Sequence, residues 1–181
     1  MQIETARLLL RRWKPSDSKP FHQLNSDPEV MEFLLKPLAL EESDEMIVRI
    51  ESHFEQHGFG LWAVEAKETG LLLGFAGLSR PTFETQFTPC IEVGWRLARQ
   101  AWGRGFATEA ARAALAFGFD EAGLTEIVSF TVPANLRSIA VMERIGMTRD
   151  IAGDFEHPKV PENHHLRKHV LYRLRREEFQ I

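Results

Sequence analysis

A chain of 181 residues with 44% apolar and 27% charged side chains is long enough to bury roughly 70% of its unfolded surface and too apolar to remain disordered. Net charge is −4 at pH 7, and the densest basic run, Arg173 to Arg176, is broken by Leu174 and followed by two glutamates, so no basic face is concentrated for nucleic acid. The length predicts one domain over 1–181; the single Cys90 excludes an internal disulfide, the first residues carry no signal-peptide pattern, and no run reaches the ~18 apolar residues of a membrane span, which together predict a cytoplasmic protein.

Leu8, Leu9 and Leu10 between arginines predict a first strand within residues 5–13. Pro15-Ser16-Asp17 supplies helix-start chemistry for a short helix to about Ser26; Asp27-Pro28 ends it, and residues 29–35 read as a further turn or two of helix before Pro37. Met46, Ile47, Ile50 and Phe54 share one face of a helix over 41–57, which has acids in its first turn and Gly58 at its end. Residues 60–66 and 71–79, joined by Lys67-Glu68-Thr69-Gly70, predict an antiparallel hairpin. A polar loop, 80–89, leads to a strand over 90–97, where the apolar setting of Cys90 suits a buried structural thiol. Next come Gln100-Ala101-Trp102-Gly103-Arg104-Gly105, an Ala-rich helix over 106–122, and a short β-branched strand over 126–132; strand, helix, strand demands a parallel crossover. A helix over 135–145 ends at Gly146, and strands over 148–152 and 169–174, joined by a His- and Pro-rich loop, complete a mixed α/β sheet with helices on both faces.

The hexapeptide is the informative stretch. Glycines in a turn that opens a helix let the backbone approach a ligand, and the helix's first N–H groups have no internal partner, so the turn predicts an anion site for a nucleotide, a dinucleotide or coenzyme A. Six residues alone read equally as a tight turn leading into a core helix. A Walker turn is excluded because no Gly-Lys pair occurs in the chain, and a dinucleotide fingerprint is disfavoured by Thr108, where Gly or Ala is needed. Arg96, Arg99 and Arg104 flank the turn and predict a locally positive site on an acidic protein, although each alone also reads as a solvated arginine.

The hexapeptide fits Gln/Arg-x-x-Gly-x-Gly/Ala. With Ile91-Glu92-Val93-Gly94-Trp95-Arg96-Leu97 before it, Ala107-Thr108-Glu109-Ala110 after it and Asn135-Leu136-Arg137-Ser138 beyond, the chain resembles the GNAT superfamily of acyl-coenzyme A dependent N-acetyltransferases, in its ribosomal-protein N-terminal (RimJ/RimL-like) branch. The resemblance covers about residues 4–179 and is most specific over 91–146. It implies a mostly antiparallel twisted sheet splayed in the middle, acetyl-coenzyme A as co-substrate, and an amine acceptor. It implies coenzyme contacts from the backbone of Trp95, Arg96 and Leu97, from Gln100, Trp102, Gly103, Arg104, Gly105, Ala107 and Thr108, and from Asn135 and Ser138 beside the pantetheine and the sulfur.

Catalytic roles also follow from the resemblance. Glu92 matches a carboxylate found on this strand in many members and is a candidate base, though a strand Glu equally faces solvent or pairs with an arginine. His157, in a predicted loop with Asp154 and Glu156, falls where the branch places a carboxylate facing the acceptor, and its ordinary pKa near 6.5 suits a base. Ser138 is a candidate donor to the leaving thiolate, although an Asn three residues before a Ser is also ordinary helix-start chemistry. Met142 stands where many members carry an acid tyrosine, and Met147 replaces the usual Phe; the single Tyr172 reads as packing. Phe33 and Leu34 would wall the acceptor entrance, or simply pack, and Glu32, Asp154 and Glu156 would favour a cationic amine. The acceptor expected is a peptide or protein N-terminus, or a small amino-acid-like or polyamine substrate, ahead of an aminoglycoside. His164, His165 and His169 raise a metal alternative, but no Cys or H-E-x-x-H accompanies them, so no metal is expected. A monomer or homodimer fits. Two rivals remain: a non-catalytic coenzyme A or small-ligand module of the same fold, and a nicotinamide-dependent enzyme.

Overall fold

The computed structural model describes residues 2–180. The predicted first strand is two: β1 (Ile3–Glu4) and β2 (Leu8–Arg11) pair antiparallel around a turn in which the Thr5 hydroxyl accepts the Leu8 N–H at 2.9 Å. Behind β2, Arg11 is buried and holds Asp17 through a bidentate pair at 2.7 and 2.8 Å, which fixes the start of α1 (Ser18–Ser26). Residues 29–35 do not form a helix. Pro28 holds Asp27 extended, and only isolated turn bonds follow, such as Met31 N–H to Asp27 O at 3.0 Å. In α2 (Leu40–His57) the Glu42 carboxylate accepts the Ala39 N–H at 2.9 Å, and Gly58 closes the helix at φ 72°.

The remaining elements are β3 (Leu61–Ala66), β4 (Leu72–Ser79), β5 (Glu92–Leu97), α3 (Phe106–Ala116) widening into a π turn over Phe117–Glu121, β6 (Glu126–Thr131), α4 (Leu136–Arg144), β7 (Thr148–Glu156) and β8 (Lys168–Arg175). The eight strands form one sheet in the order β1-β2-β3-β4-β5-β6-β8-β7, antiparallel except for β5 and β6, which α3 connects. β7 runs on to Glu156, so the predicted loop carrying Asp154 and Glu156 is strand. A register shift between Asp150 and Phe155 interrupts the alternation there, which hides the strand from a periodicity reading.

Helices cover both faces. Phe75 of β4 meets Phe21 of α1 with ring centroids 6.1 Å apart, whereas Trp62, opposite Ala76 in the register, meets Phe117 at the end of α3 at 5.2 Å. Consecutive strand residues point to opposite faces, so α1 and α3 sandwich the sheet. Trp62, Phe21, Phe119 and Leu115 are fully buried between the layers, each contributing roughly 1.5–3 kcal/mol. The N-terminal hairpin is tied to α3 through Glu109, which accepts from the Thr5 hydroxyl at 2.6 Å and the Arg7 Nε at 2.7 Å.

One break in the sheet positions everything that follows. The registered pairing of β5 with β6 is confined to Glu92 opposite Val128, supported by the Val128 N–H to Ile91 O bond at 2.8 Å. Beyond that vertex the two strands part.

Candidate functional site

Because β5 and β6 are parallel, the helices that follow them start at the same end of the gap, one on each lip. On the β5 lip the chain makes a short 3-10 turn, Arg99–Ala101, and then places Gly103 at φ 71° and Gly105 at φ 78°. Both values lie in the left-handed region that favours glycine. A Cβ on Gly103 would meet nothing within 4 Å, and one on Gly105 only the Arg7 Nη2 at 3.5 Å. Backbone conformation, not crowding by protein, is therefore what requires these glycines. Gly105 caps α3 without a side chain, leaving the first N–H groups of the helix, including Ala107 and Thr108, for an outside acceptor.

The three arginines predicted to surround the turn go to different places. Arg104 stacks over Phe106 at 4.7 Å, and Arg99 pairs with Glu29 at 2.8 Å. Arg96 turns away to the α1 face, where Nη1 donates to Asn25 Oδ1 at 2.7 Å and the guanidinium lies 5.3 Å from the Phe75 ring. Trp102 donates its Nε1–H to Leu97 O at 2.8 Å, which orients the turn against the end of β5. Gln100 and Arg104 also line a separate cavity of about 660 Å³ beside the β3–β4 turn.

On the β6 lip, Asn135 caps α4: its Oδ1 accepts the Ser138 N–H at 3.2 Å and its Nδ2 donates to Thr131 Oγ1 at 3.1 Å. The helix-start reading of this pair therefore holds in the structure, and the half-buried Ser138 hydroxyl bonds to no described residue. Arg137 reaches from α4 to the other lip, 4.4 Å over the Trp102 ring, and bonds Glu32 at 2.8 Å. Met142 is buried in the core, as is Tyr172.

At the vertex stands Glu92, opposite Ser79 in the register. Burial pushes its carboxyl up to about 8, against the pull of a hydrogen bond from Ser79. Its Oε1 lies 3.8 Å from where a Cβ on Gly94 would be. Strand alternation places Glu92, Gly94 and Arg96 on the face that α1 covers.

The same face of β6 carries Phe130, two residues past Val128, and around it the sequence reading missed a whole aromatic wall. Phe130 meets Phe155 at 5.4 Å and Phe83 at 5.8 Å, while His157 meets Phe83 at 4.6 Å and His169 at 4.9 Å. Burial, then the neighbouring His169 and Lys159, push the His157 imidazole down to about 4, and its Nδ1 accepts the Lys159 N–H at 3.2 Å. It is a neutral ring in an aromatic cluster, a weak proton acceptor at neutral pH.

Two of the other expected acceptor residues meet near Val160, since Arg167, the partner of Glu156, also donates to Val160 O at 2.7 Å. Phe33 packs with Val132, Val160 and Leu166, Leu34 is exposed, Glu156 pairs with Arg167 at 3.1 Å and Asp154 with Arg149 at 2.6 Å. His164 stacks on His165 at 4.5 Å, apart from His169 in the wall, and no group of three or more His, Cys, Asp or Glu among the described residues could hold a metal ion. Cys90 is half-buried instead of buried, with desolvation, then Glu92, raising its thiol to about 11. No helix of the described residues is long and apolar enough to cross a membrane.

A mostly antiparallel sheet parted between two parallel strands, with a helix starting at each lip, is an open-sheet α/β architecture. The chain belongs to the acetyltransferase (GNAT) domain family, which matches it over residues 7–148. It is 34% identical over 147 residues to the protein YkkB of Bacillus subtilis, covering 81% of this chain and 84% of that one. It is 31% identical over 153 residues to the FsC-acetyl coenzyme A-N(2)-transacetylase of Aspergillus fumigatus, covering 81% of this chain and 64% of the relative. Among solved structures, the GNAT-family acetyltransferase from Bacillus anthracis matches with a TM-score of 0.80 at 26% identity, covering 98% of this chain and 100% of that one.

Proposed function

We propose that the chain is a one-domain enzyme that moves the acetyl group of acetyl-coenzyme A to a primary amine, on a peptide or protein N-terminus or a small molecule, as its RimJ/RimL-like motifs imply. The observation that carries the reading is the place of the half-buried Glu92 carboxyl, opposite Ser79 and at the vertex where β5 and β6 part. Gly103, Gly105 and the free N–H groups of α3 suit a pyrophosphate, and the backbone of β5 from Trp95 to Leu97, past the last registered pairing with β6, suits the pantetheine arm. Glu92 takes a proton from the attacking amine as the nitrogen–carbon bond forms and the carbon–sulfur bond breaks. The hydroxyl of Ser138, free of other described partners, donates to the leaving thiolate. Ser138→Ala is expected to lower kcat about tenfold with little change in either KM; a wild-type kcat would leave Ser138 a packing residue.

One observation favours the second reading, a coenzyme A binding module without turnover: Met142, which the resemblance aligns with the acid tyrosine of many members, is a buried core residue. Thiol release from acetyl-coenzyme A, measured across short peptides, free amino acids, polyamines and aminoglycosides with product mass as the readout, separates the two. Acceptor-dependent release with peptides or small amines is expected. Tight coenzyme binding with no such release would establish the module.

A further inference from the structure

Arg96 is placed oddly for a coenzyme contact. Of the five N–H groups of its guanidinium, one bonds to Asn25 Oδ1 at 2.7 Å, and among the described residues no carboxylate forms an ion pair with it. Arg7, Arg11, Arg12, Arg149 and Arg173 each have such a carboxylate. Arg96 is half-buried, a cation drawn out of water without a counter-ion is unfavourable to keep, and burial draws this one down to about 10, still cationic at neutral pH. Next to it on the same face Gly94 carries no side chain, and the sole atom within 4 Å of a Cβ there would be Glu92 Oε1. Glu92 and Arg96, four residues apart on one strand, are separated by about 13 Å at Cα, and each side chain can lean into the space over Gly94. The wall of Phe130, Phe155 and His157 continues that face across the gap.

We propose that the Arg96 side chain binds a carboxylate of the acceptor, so that the substrates are amines carrying a carboxylate a few bonds from the nitrogen. The proposal rests on the acetyl-transfer reading above. The planar guanidinium offers the fork that a carboxylate matches, the amine lies toward Glu92, and apolar parts of the acceptor face the aromatic wall. The carboxylate is either the C-terminal group of a free amino acid or the side chain of an acidic second residue in a peptide.

The test uses matched acceptors at saturating acetyl-coenzyme A: free amino acids against their carboxamides, and peptides with Asp or Glu second against Asn or Gln. The wild type is expected to favour the carboxylate member about 30-fold in kcat/KM, mainly through KM. Preference confined to the free amino acids identifies the C-terminal group, and preference confined to the peptides identifies the acidic side chain. Arg96→Gln should raise KM for the carboxylate acceptor about 30-fold more than for its carboxamide. Arg96→Lys keeps the charge for folding but not the fork, and should lose most of the preference. Asn25→Ala removes the tether yet leaves the guanidinium, and should retain the preference. Equal turnover of matched acceptors by the wild type, or equal losses for both in Arg96→Gln, would reduce Arg96 to a strut between β5 and α1. Equilibrium binding of the N-acetylated carboxylate and its amide separates the two claims. Arg96-dependent binding without turnover would sink acetyl transfer and keep the anchor, whereas turnover indifferent to the carboxylate would sink the anchor and keep acetyl transfer.

Discussion

Glu92→Gln is expected to lower kcat by two to three orders of magnitude while leaving the KM for acetyl-coenzyme A unchanged. The amide preserves shape and hydrogen bonding but cannot take a proton, and a positioned general base is worth about 10²–10⁴ in rate. The wild-type carboxyl sits at about 8 because its surroundings are desolvated, so kcat should climb as pH rises through that value and the climb should be missing in the variant. The same shift makes a separate statement about stability. The ordinary value is 4.5, so the folded chain holds the Glu92 proton more tightly than the unfolded chain does. The resulting stabilisation is fully present below 4.5 and is lost as pH rises toward 8. Gln cannot ionise, and above pH 8 the variant should melt higher than the wild type, which ties the kinetic loss to the carboxyl and not to misfolding. His157→Ala is expected to act mainly on the acceptor KM, since an imidazole held at about 4 is already deprotonated at working pH. A larger kcat loss in His157→Ala than in Glu92→Gln would move the base to the aromatic wall.

The parts of the fold legible in the sequence are those whose cause is local. Glycines between a strand pattern and an alanine-rich run announced the turn at Gly103 and Gly105, and a single-face apolar stripe with Gly58 at its end announced α2. The pairing of β5 with β6 followed from the crossover rule. What escaped has non-local causes. The end of β7 carries a register shift that breaks the period-two pattern, and Asp27-Pro28 left too few bonds for the helix that residues 29–35 suggested by composition. Alternation could have put Arg96 on the face of Glu92, but nothing in the chain before folding shows that Asn25, on a different element, would be its partner. The aromatic wall is the clearest case. Phe83, Phe87, Phe130 and Phe155 are scattered along the chain, and only the strand order β6-β8-β7, with the loop before β5 laid over it, gathers their rings.

Gly105→Val is expected to raise the KM for acetyl-coenzyme A about 100-fold while the acceptor KM stays within about twofold. Gly105 sits at φ 78°, where a β-branched residue is strained, and the strain is on the order of 1–3 kcal/mol. Space is not the obstacle, since a Cβ would approach the Arg7 Nη2 to 3.5 Å and no other group nearby. The chain therefore folds, and the turn relieves the strain by leaving the left-handed region. That movement re-aims the first N–H groups of α3, the groups proposed to face the pyrophosphate, and it introduces a side chain where the ligand's phosphates would lie. Gly58 supplies the control. It caps α2 at φ 72°, with nothing within 4 Å of a Cβ, so Gly58→Val carries the same backbone strain at the end of a helix that starts at neither lip of the gap. Both variants should lose similar stability by thermal melting, and only Gly105→Val should lose coenzyme affinity. Equal melting losses accompanied by an unchanged coenzyme KM in Gly105→Val would make the turn a lead-in to a core helix and nothing more.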